Sequence, residues 1–213
     1  GDESDISLQP YETYRYEGTD LEDLTETHIT SDARISVMSG IMTKIPEMDS
    51  CCNDGLIVNV PPVHTWGQQF VLTPILTKLC GYIYRVLSCN YTTRLTISNH
   101  GTVILPPGSM HEGDVATTTI VAISADYPVL VAKYVKGRDA CDNLGDPSMI
   151  VELPLRSYYN TVTFPVFDTT ITISKQYSIN VITNCSDVDT LMYDGTISMS
   201  DWDQLSLADG SMC

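Results

Sequence analysis

Ile57-Val58-Asn59-Val60-Pro61 is a short β-branched run stopped by proline, and it returns 93 residues later as Ile150-Val151-Glu152-Leu153-Pro154. Working outward, Ile29-Thr30-Ser31-Asp32-Ala33-Arg34-Ile35-Ser36-Val37 has its counterpart in Ile123-Ser124-Ala125-Asp126-Tyr127-Pro128-Val129-Leu130-Val131, at an offset of 94. Trp66 corresponds to Tyr159, Phe70 to Phe164, and Arg85-Val86-Leu87-Ser88 to Asn180-Val181-Ile182-Thr183. A near-constant offset over strands, turns and prolines is the signature of an internal repeat. The copies run from residue 7 to 99 and from 101 to 195, followed by an acidic tail, 196–213, that reads as the opening of a further unit.

The periodicity within each copy is that of strands. Val, Ile, Thr and Tyr recur in short blocks bounded by Pro, Gly, Asn and Asp, at 34–38, 56–60, 82–87, 94–97, 117–123, 129–134, 149–153, 169–173 and 178–182. No amphipathic helical stretch stands out. The expected fold is all-β: two repeated antiparallel β-sandwich modules of jelly-roll type, about 95 residues each, spanning 1–99 and 100–195. They stand either as separate sandwiches or as halves of one domain.

Composition narrows the function. The 213 residues carry 11 basic and 27 acidic side chains, a formal charge of −16. Phosphate neutralisation requires clustered Lys and Arg, so nucleic acid is excluded as a partner, and an anionic membrane is disfavoured. No apolar run reaches the ~18 residues that a membrane-spanning helix needs. The acid lies at the two ends: twelve acidic and three basic residues in 1–50, nine and eight in 51–186, six and none in 187–213.

Seven cysteines without a C-x-x-C pair and with only four histidines argue for an oxidised, extracytoplasmic protein rather than a zinc site. Asn90-Tyr91-Thr92 and Asn184-Cys185-Ser186 are glycosylation acceptors that agree with secretion, as does a start at Gly1-Asp2, which suggests a removed signal peptide. Seven thiols cannot all pair within one chain. The repeat predicts Cys141 with Cys185, and Cys51 or Cys52 with Cys89. Cys80 then takes the other of Cys51 and Cys52, and Cys213 is left unpaired or available for a bridge to another molecule, including a disulfide-linked oligomer.

No arrangement of nucleophile, base and orienting group is apparent, and the chain reads as a non-enzyme. His111-Glu112 is read as part of a turn between Gly108 and Gly113, His64 as a turn residue, and His28 and His100 as lacking partners. Asp139, Asp142 and Asp146 are a weak oxygen-ligand set for calcium, without the D-x-D-x-D-G order of a calcium loop. No other cofactor is expected. Trp66, Tyr158, Tyr159 and Trp202 are aromatic candidates for a recognition surface, although the equivalence of Trp66 and Tyr159 favours a shared packing role.

Leu8-Gln9-Pro10-Tyr11-Glu12-Thr13-Tyr14, Ile29-Thr30-Ser31-Asp32, Val37-Met38-Ser39-Gly40 and Pro61-Pro62-Val63-His64-Thr65-Trp66-Gly67 resemble the N-terminal domain of IgG Fc-binding proteins. The order continues through Tyr84-Arg85-Val86, Asp126-Tyr127-Pro128-Val129-Leu130-Val131-Ala132-Lys133-Tyr134, Gly145-Asp146-Pro147-Ser148-Met149, and Asp194-Gly195 to Ser200-Asp201-Trp202. The resemblance implies a secreted, mucus-type or cell-surface protein, often joined to von Willebrand type D modules, that works by binding. Type D modules can cleave themselves at Gly-Asp-Pro-His; Ser148 replaces the histidine here, so Gly145-Asp146-Pro147 is read as a turn. The expected function is adhesion or matrix assembly with an extracellular protein or glycan partner. The alternatives are a carrier of an apolar small molecule, attached through a free thiol, and a calcium-dependent recognition protein.

Overall fold

A computed structural model describes residues 4–19, 22–41, 55–74, 81–116, 119–137, 147–163, 179–191, 202–207 and 210–213. The described residues form eleven strands and three short 3-10 turns, an all-β architecture. Its centre is β8 (Val121–Val135), fifteen residues long, which pairs antiparallel with four other strands. The first half of β8 lies between β3 (Gly67–Leu72) and β5 (Thr93–Ile97); the second half lies between β4 (Tyr82–Ser88) and β9 (Ser148–Val151). Two edge strands, β6 (Gly101–Leu105) on β5 and β7 (Met110–Val115) on β4, complete the curled sheet.

Chemistry explains where β8 changes neighbours. Asp126, Tyr127 and Pro128 are exposed and fall between the last pair with β5, at Ala125, and the first with β4, at Val129. Proline has no N–H to give a ladder, and it sits where no ladder bond is required. The register with β3 also shifts there, between Gly67 and Gln69. The side chain of Gln68 donates to the Asp126 carbonyl at 2.8 Å, and Asp126 Oδ1 accepts the Arg94 N–H at 2.8 Å, so the freed polar groups are satisfied. Across this break the side-chain parity of β8 is kept. Val121, Ile123, Ala125, Val129 and Val131 therefore join Phe70, Leu72, Tyr82, Tyr84, Val86, Leu95 and Ile97 in one buried core.

The sequence expected separate strands over 117–123 and 129–134; one continuous strand replaces them. The boundary between residues 99 and 100 falls in the tight β5–β6 connection, so the two spans contribute strands to one sheet rather than to independent sandwiches. Strands β3, β6 and β7 were not expected. The strand expected over 34–38 is instead β1 (Met38–Ile41), that over 169–173 lies outside the described residues, and 179–182 is not a strand.

A local repeat is nonetheless present. β1 pairs with β2 (Leu56–Asn59) through four residue pairs, from Met38 with Asn59 to Ile41 with Leu56. β8 pairs with β9 through four, from Ala132 with Val151 to Val135 with Ser148. Each ladder is extended by one backbone bond of 2.9 Å, Val60 N–H to Val37 and Glu152 N–H to Val131. Each then runs through proline into a three-residue 3-10 turn, Val63–Thr65 or Leu155–Ser157, closed by an aromatic residue, Trp66 or Tyr158. The counterpart of Trp66 is thus Tyr158 and not Tyr159, because from the second strand of each ladder to its ring the structural offset is 92 residues, one less than the aligned letters imply.

Candidate partner-binding site

The two repeated turns meet. Gly67 lies so close to Pro154 that a Cβ on it would stand 2.1 Å from the proline Cβ. Arg156 on the second turn donates to the His64 carbonyl at 3.1 Å and also to that of Trp66 on the first. The Trp66 indole is buried and donates to the Pro61 carbonyl at 3.1 Å, which fixes the ring in its own turn. Between the turns opens an apolar cleft of about 260 Å³, with Pro61 and Trp66 from one, Leu153 and Pro154 from the other, and Phe70 and Val129 behind.

Beneath this seam is a buried charge pair. Lys133 Nζ approaches Glu152 Oε1 to 2.6 Å, donates to the Thr73 carbonyl at 3.1 Å and lies 5.7 Å from the centre of the Tyr82 ring. The contact with Glu152 is ionic and off the hydrogen-bond line, since that oxygen has no well-aligned donor. Burial, reinforced by the Glu152 charge, pushes the Tyr158 hydroxyl up to about 12. The same two causes raise Tyr82 further, and its hydroxyl donates to the Leu72 and Thr119 carbonyls at 3.1 Å each. These contacts tie β8, β9 and the segment after β3 together beneath the seam.

The surface beside the cleft is unusual. In the β1–β2 ribbon, cross-strand partners share a face, so Met38, Gly40, Ile57 and Asn59 point the same way. Met38 is 62% and Ile57 68% exposed, and a Cβ on Gly40 would run into Ile57, so the ribbon is thin there. Asn59 lines the cleft, and Leu153 on its rim is exposed. Two-stranded ribbons are marginal in water unless something packs on them.

Other sequence candidates fall elsewhere. Asn90 and Asn184 are both exposed; Asn184 donates to Asp187 Oδ2 at 3.2 Å, and Tyr91 stacks on Tyr127 at 4.7 Å. Cys185 is bridged to Cys213, not to Cys141, and Cys213 is neither unpaired nor free for an external bond. The reason is that the tail folds back. β10 (Leu205–Leu207) and β11 (Gly210–Met212) form a hairpin, and the Thr183 and Cys213 backbones exchange two hydrogen bonds, 2.8 and 3.0 Å. Cys89, expected in a bridge, is a half-buried free thiol. It lines neither the seam cleft nor the second cleft described below. Cys51, Cys52, Cys80 and Cys141, and the acidic set Asp139, Asp142 and Asp146, lie outside the described residues.

The histidines need two corrections. His111-Glu112 is not a turn but part of β7, where Glu112 meets Arg85 Nε at 2.7 Å and Arg85 lies 5.6 Å from the Tyr134 ring centre. His100 has a neighbour, the His111 ring 5.1 Å away. Burial first, and His100 second, lower the His111 pKa, against the Glu112 charge. His64 is an exposed turn residue, as expected. Among the described residues no group of three His, Cys, Asp or Glu side chains is placed to hold a metal, and no helix is long and apolar enough to cross a membrane.

No curated protein and no solved structure matches the chain. The family of the IgGFc binding protein, a family of binding domains, matches residues 1–211, nearly the whole length. The chain belongs to the IgGFc binding protein family.

Proposed function

We propose that the chain is an extracellular, non-catalytic binding domain, and that its protein partner docks on the outward face of the β1–β2 ribbon and the adjoining seam cleft. The observation that carries this reading is the pair Met38 and Ile57, large apolar side chains standing in water on a two-stranded ribbon beside an apolar cleft. Exposed apolar surface of this kind, rimmed by polar residues such as Asn59 and Thr65, marks an interaction site. Secretion is supported by the family, by the Cys185–Cys213 bridge and by exposed acceptors at Asn90 and Asn184. We further propose that the chain arose by duplication of one β unit, which the paired ladders and turns support.

A photoreactive benzoylphenylalanine in place of Ile57 tests the face, with the same residue in place of the exposed Ile104 on β6 as control. Irradiation in the native extracellular fluid is expected to give a discrete protein adduct at 57 and none at 104. No adduct at 57, or the same adduct at both positions, would overturn the assignment of the face.

A further inference from the structure

A second cleft, of about 350 Å³, lies on the other side of Tyr158 and differs in character from the seam. Its walls are Tyr158, Tyr159 and Asn160 after the second 3-10 turn, the segment from Ile182 to Asp187, and the β10–β11 hairpin held to that segment by the Cys185–Cys213 bridge, with Gln69 of β3 and Leu155 of the turn completing the lining. Leu207 and Met212 give it a small apolar base, and Met212 is buried. Its polar groups are amides, hydroxyls and one carboxylate, with no Lys or Arg among the lining residues.

We infer that this cleft binds a neutral carbohydrate, one hexose or N-acetylhexosamine unit, with Tyr159 and Asp187 as its principal contacts. Its volume is at the small end of the ~300–1,000 Å³ usual for ligand sites. A sugar presents an apolar C–H face and a rim of hydroxyls, and needs an accessible aromatic ring beside planar polar groups that both donate and accept. Tyr159 supplies the ring: it is 75% exposed, whereas Tyr158 is half-buried, so the adjacent tyrosines divide packing from presentation. Asp187 supplies a fixed acceptor. Its Oδ1 takes the Ser186 hydroxyl at 2.9 Å and its Oδ2 takes the Asn184 amide at 3.2 Å, and each oxygen keeps a further lone pair. The side chains of Asn160 and Thr183 have no partner among the described residues and complete the donor and acceptor set. A carboxylate without a neighbouring cation disfavours phosphate, sulfated or sialylated ligands.

The sugar has two sources, and Asn184 sits on the cleft lip. A glycan attached there would be tethered at an effective concentration of about millimolar, enough to fill a weak site without a partner. Otherwise the sugar belongs to another glycoprotein.

The test uses the full chain, folded with its disulfide, from a host that does not glycosylate. Saturation-transfer NMR with methyl β-galactoside and with N-acetylglucosamine is expected to show transfer to ring protons of at least one of them. Tyr159→Ala should abolish it and Asp187→Asn should reduce it at least severalfold, while Tyr91→Ala, in the exposed Tyr91–Tyr127 stack, should leave it unchanged. Tyr159 and Asp187 are both exposed, so these variants fold, and near-ultraviolet circular dichroism confirms it. No transfer to either sugar, or transfer that survives Tyr159→Ala, would overturn the proposal. The same titration of chain from a glycosylating host separates the sources. Loss of binding that an endoglycosidase restores assigns the cleft to the chain's own glycan, and unchanged binding assigns it to a partner's. Neither result depends on the protein-binding face proposed above.

Discussion

The two ladder-and-turn units share a register and differ in what covers them. In the second, β9 lies against β8 in the main sheet, and the seam buries Glu152 against Lys133. In the first, β1 and β2 pair only with each other, and Met38 and Ile57 face water. By ladder position Ser39 stands where Lys133 stands, and Val60 where Glu152 stands. One copy has become part of the scaffold, with a charge pair that fixes its place; the other keeps the backbone pattern and presents its surface. The difference teaches that two ladders with the same hydrogen-bond geometry can differ widely in burial.

The largest effect should come from breaking what only the second unit has. Glu152→Val leaves the Lys133 ammonium buried without its counter-charge and should cost about 3–5 kcal/mol in chemical denaturation. The double variant Lys133→Met with Glu152→Val, which removes both charges and puts at 152 the residue type of Val60, should lie within about 1 kcal/mol of wild type. Equal losses in the single and double variants would mean that the pair acts through packing and not through charge.

Next is the bridge. Cys185–Cys213 spans 28 residues and anchors the hairpin beside the second unit. Cys213→Ser should destabilise the protein by about 3.6 kcal/mol in the chain-entropy model, and should leave near-ultraviolet signals of the seam aromatics intact. Non-reducing peptide mapping should recover the 185–213 pair and a free thiol at Cys89.

Gly67→Ala tests whether the two units are in true contact. Its Cβ would overlap the buried Pro154, so the turns must separate, at a cost of about 1–3 kcal/mol. A neutral result would show that the seam is looser than the 2.1 Å approach requires.

The smallest effect is one of pH. Tyr158 titrates near 12 in the folded protein against 10 for an ordinary tyrosine. The folded state holds that proton more tightly, so the stabilisation is whole below pH 10 and is lost as pH rises through 12. Tyr158→Phe should therefore flatten part of the fall in stability between those values, whereas Tyr159→Phe should leave the slope unchanged.

Much of this was legible in the letters. Alternation of β-branched residues with turn residues placed β2, β4, β5 and β9 within a residue or two, and the 93-residue offset pointed to β2 and β9 as equivalents, one residue out of their structural register. The signal failed where tertiary context decides. Asp126-Tyr127-Pro128 reads as a turn, but β8 passes through it because its two halves have different neighbours and need no ladder bond at the proline. Strand β7, Met-His-Glu-Gly-Asp-Val, has almost no strand propensity and exists because β4 supplies a partner for each residue. Of the site, Trp66, Tyr158 and Tyr159 were singled out, yet their separate roles depended on a one-residue shift that an alignment of similar letters does not resolve. Met38, Ile57 and Asp187 went unmarked, since exposure on a ribbon leaves no periodic trace. The partner of Cys185 was misread because it depends on where the tail returns.

The first unit is the open form of the ladder-and-turn pattern that the main sheet covers in the second. Backbone amide exchange at Val60 and Glu152 measures this directly, since both amides make a 2.9 Å bond at the same place in their ladders. The account predicts that Glu152 exchanges only through global unfolding, while Val60 exchanges at least about 100-fold faster through local opening of the ribbon. Equal, slow exchange at the two amides would contradict it, because the ribbon would then already be as well covered as the sheet.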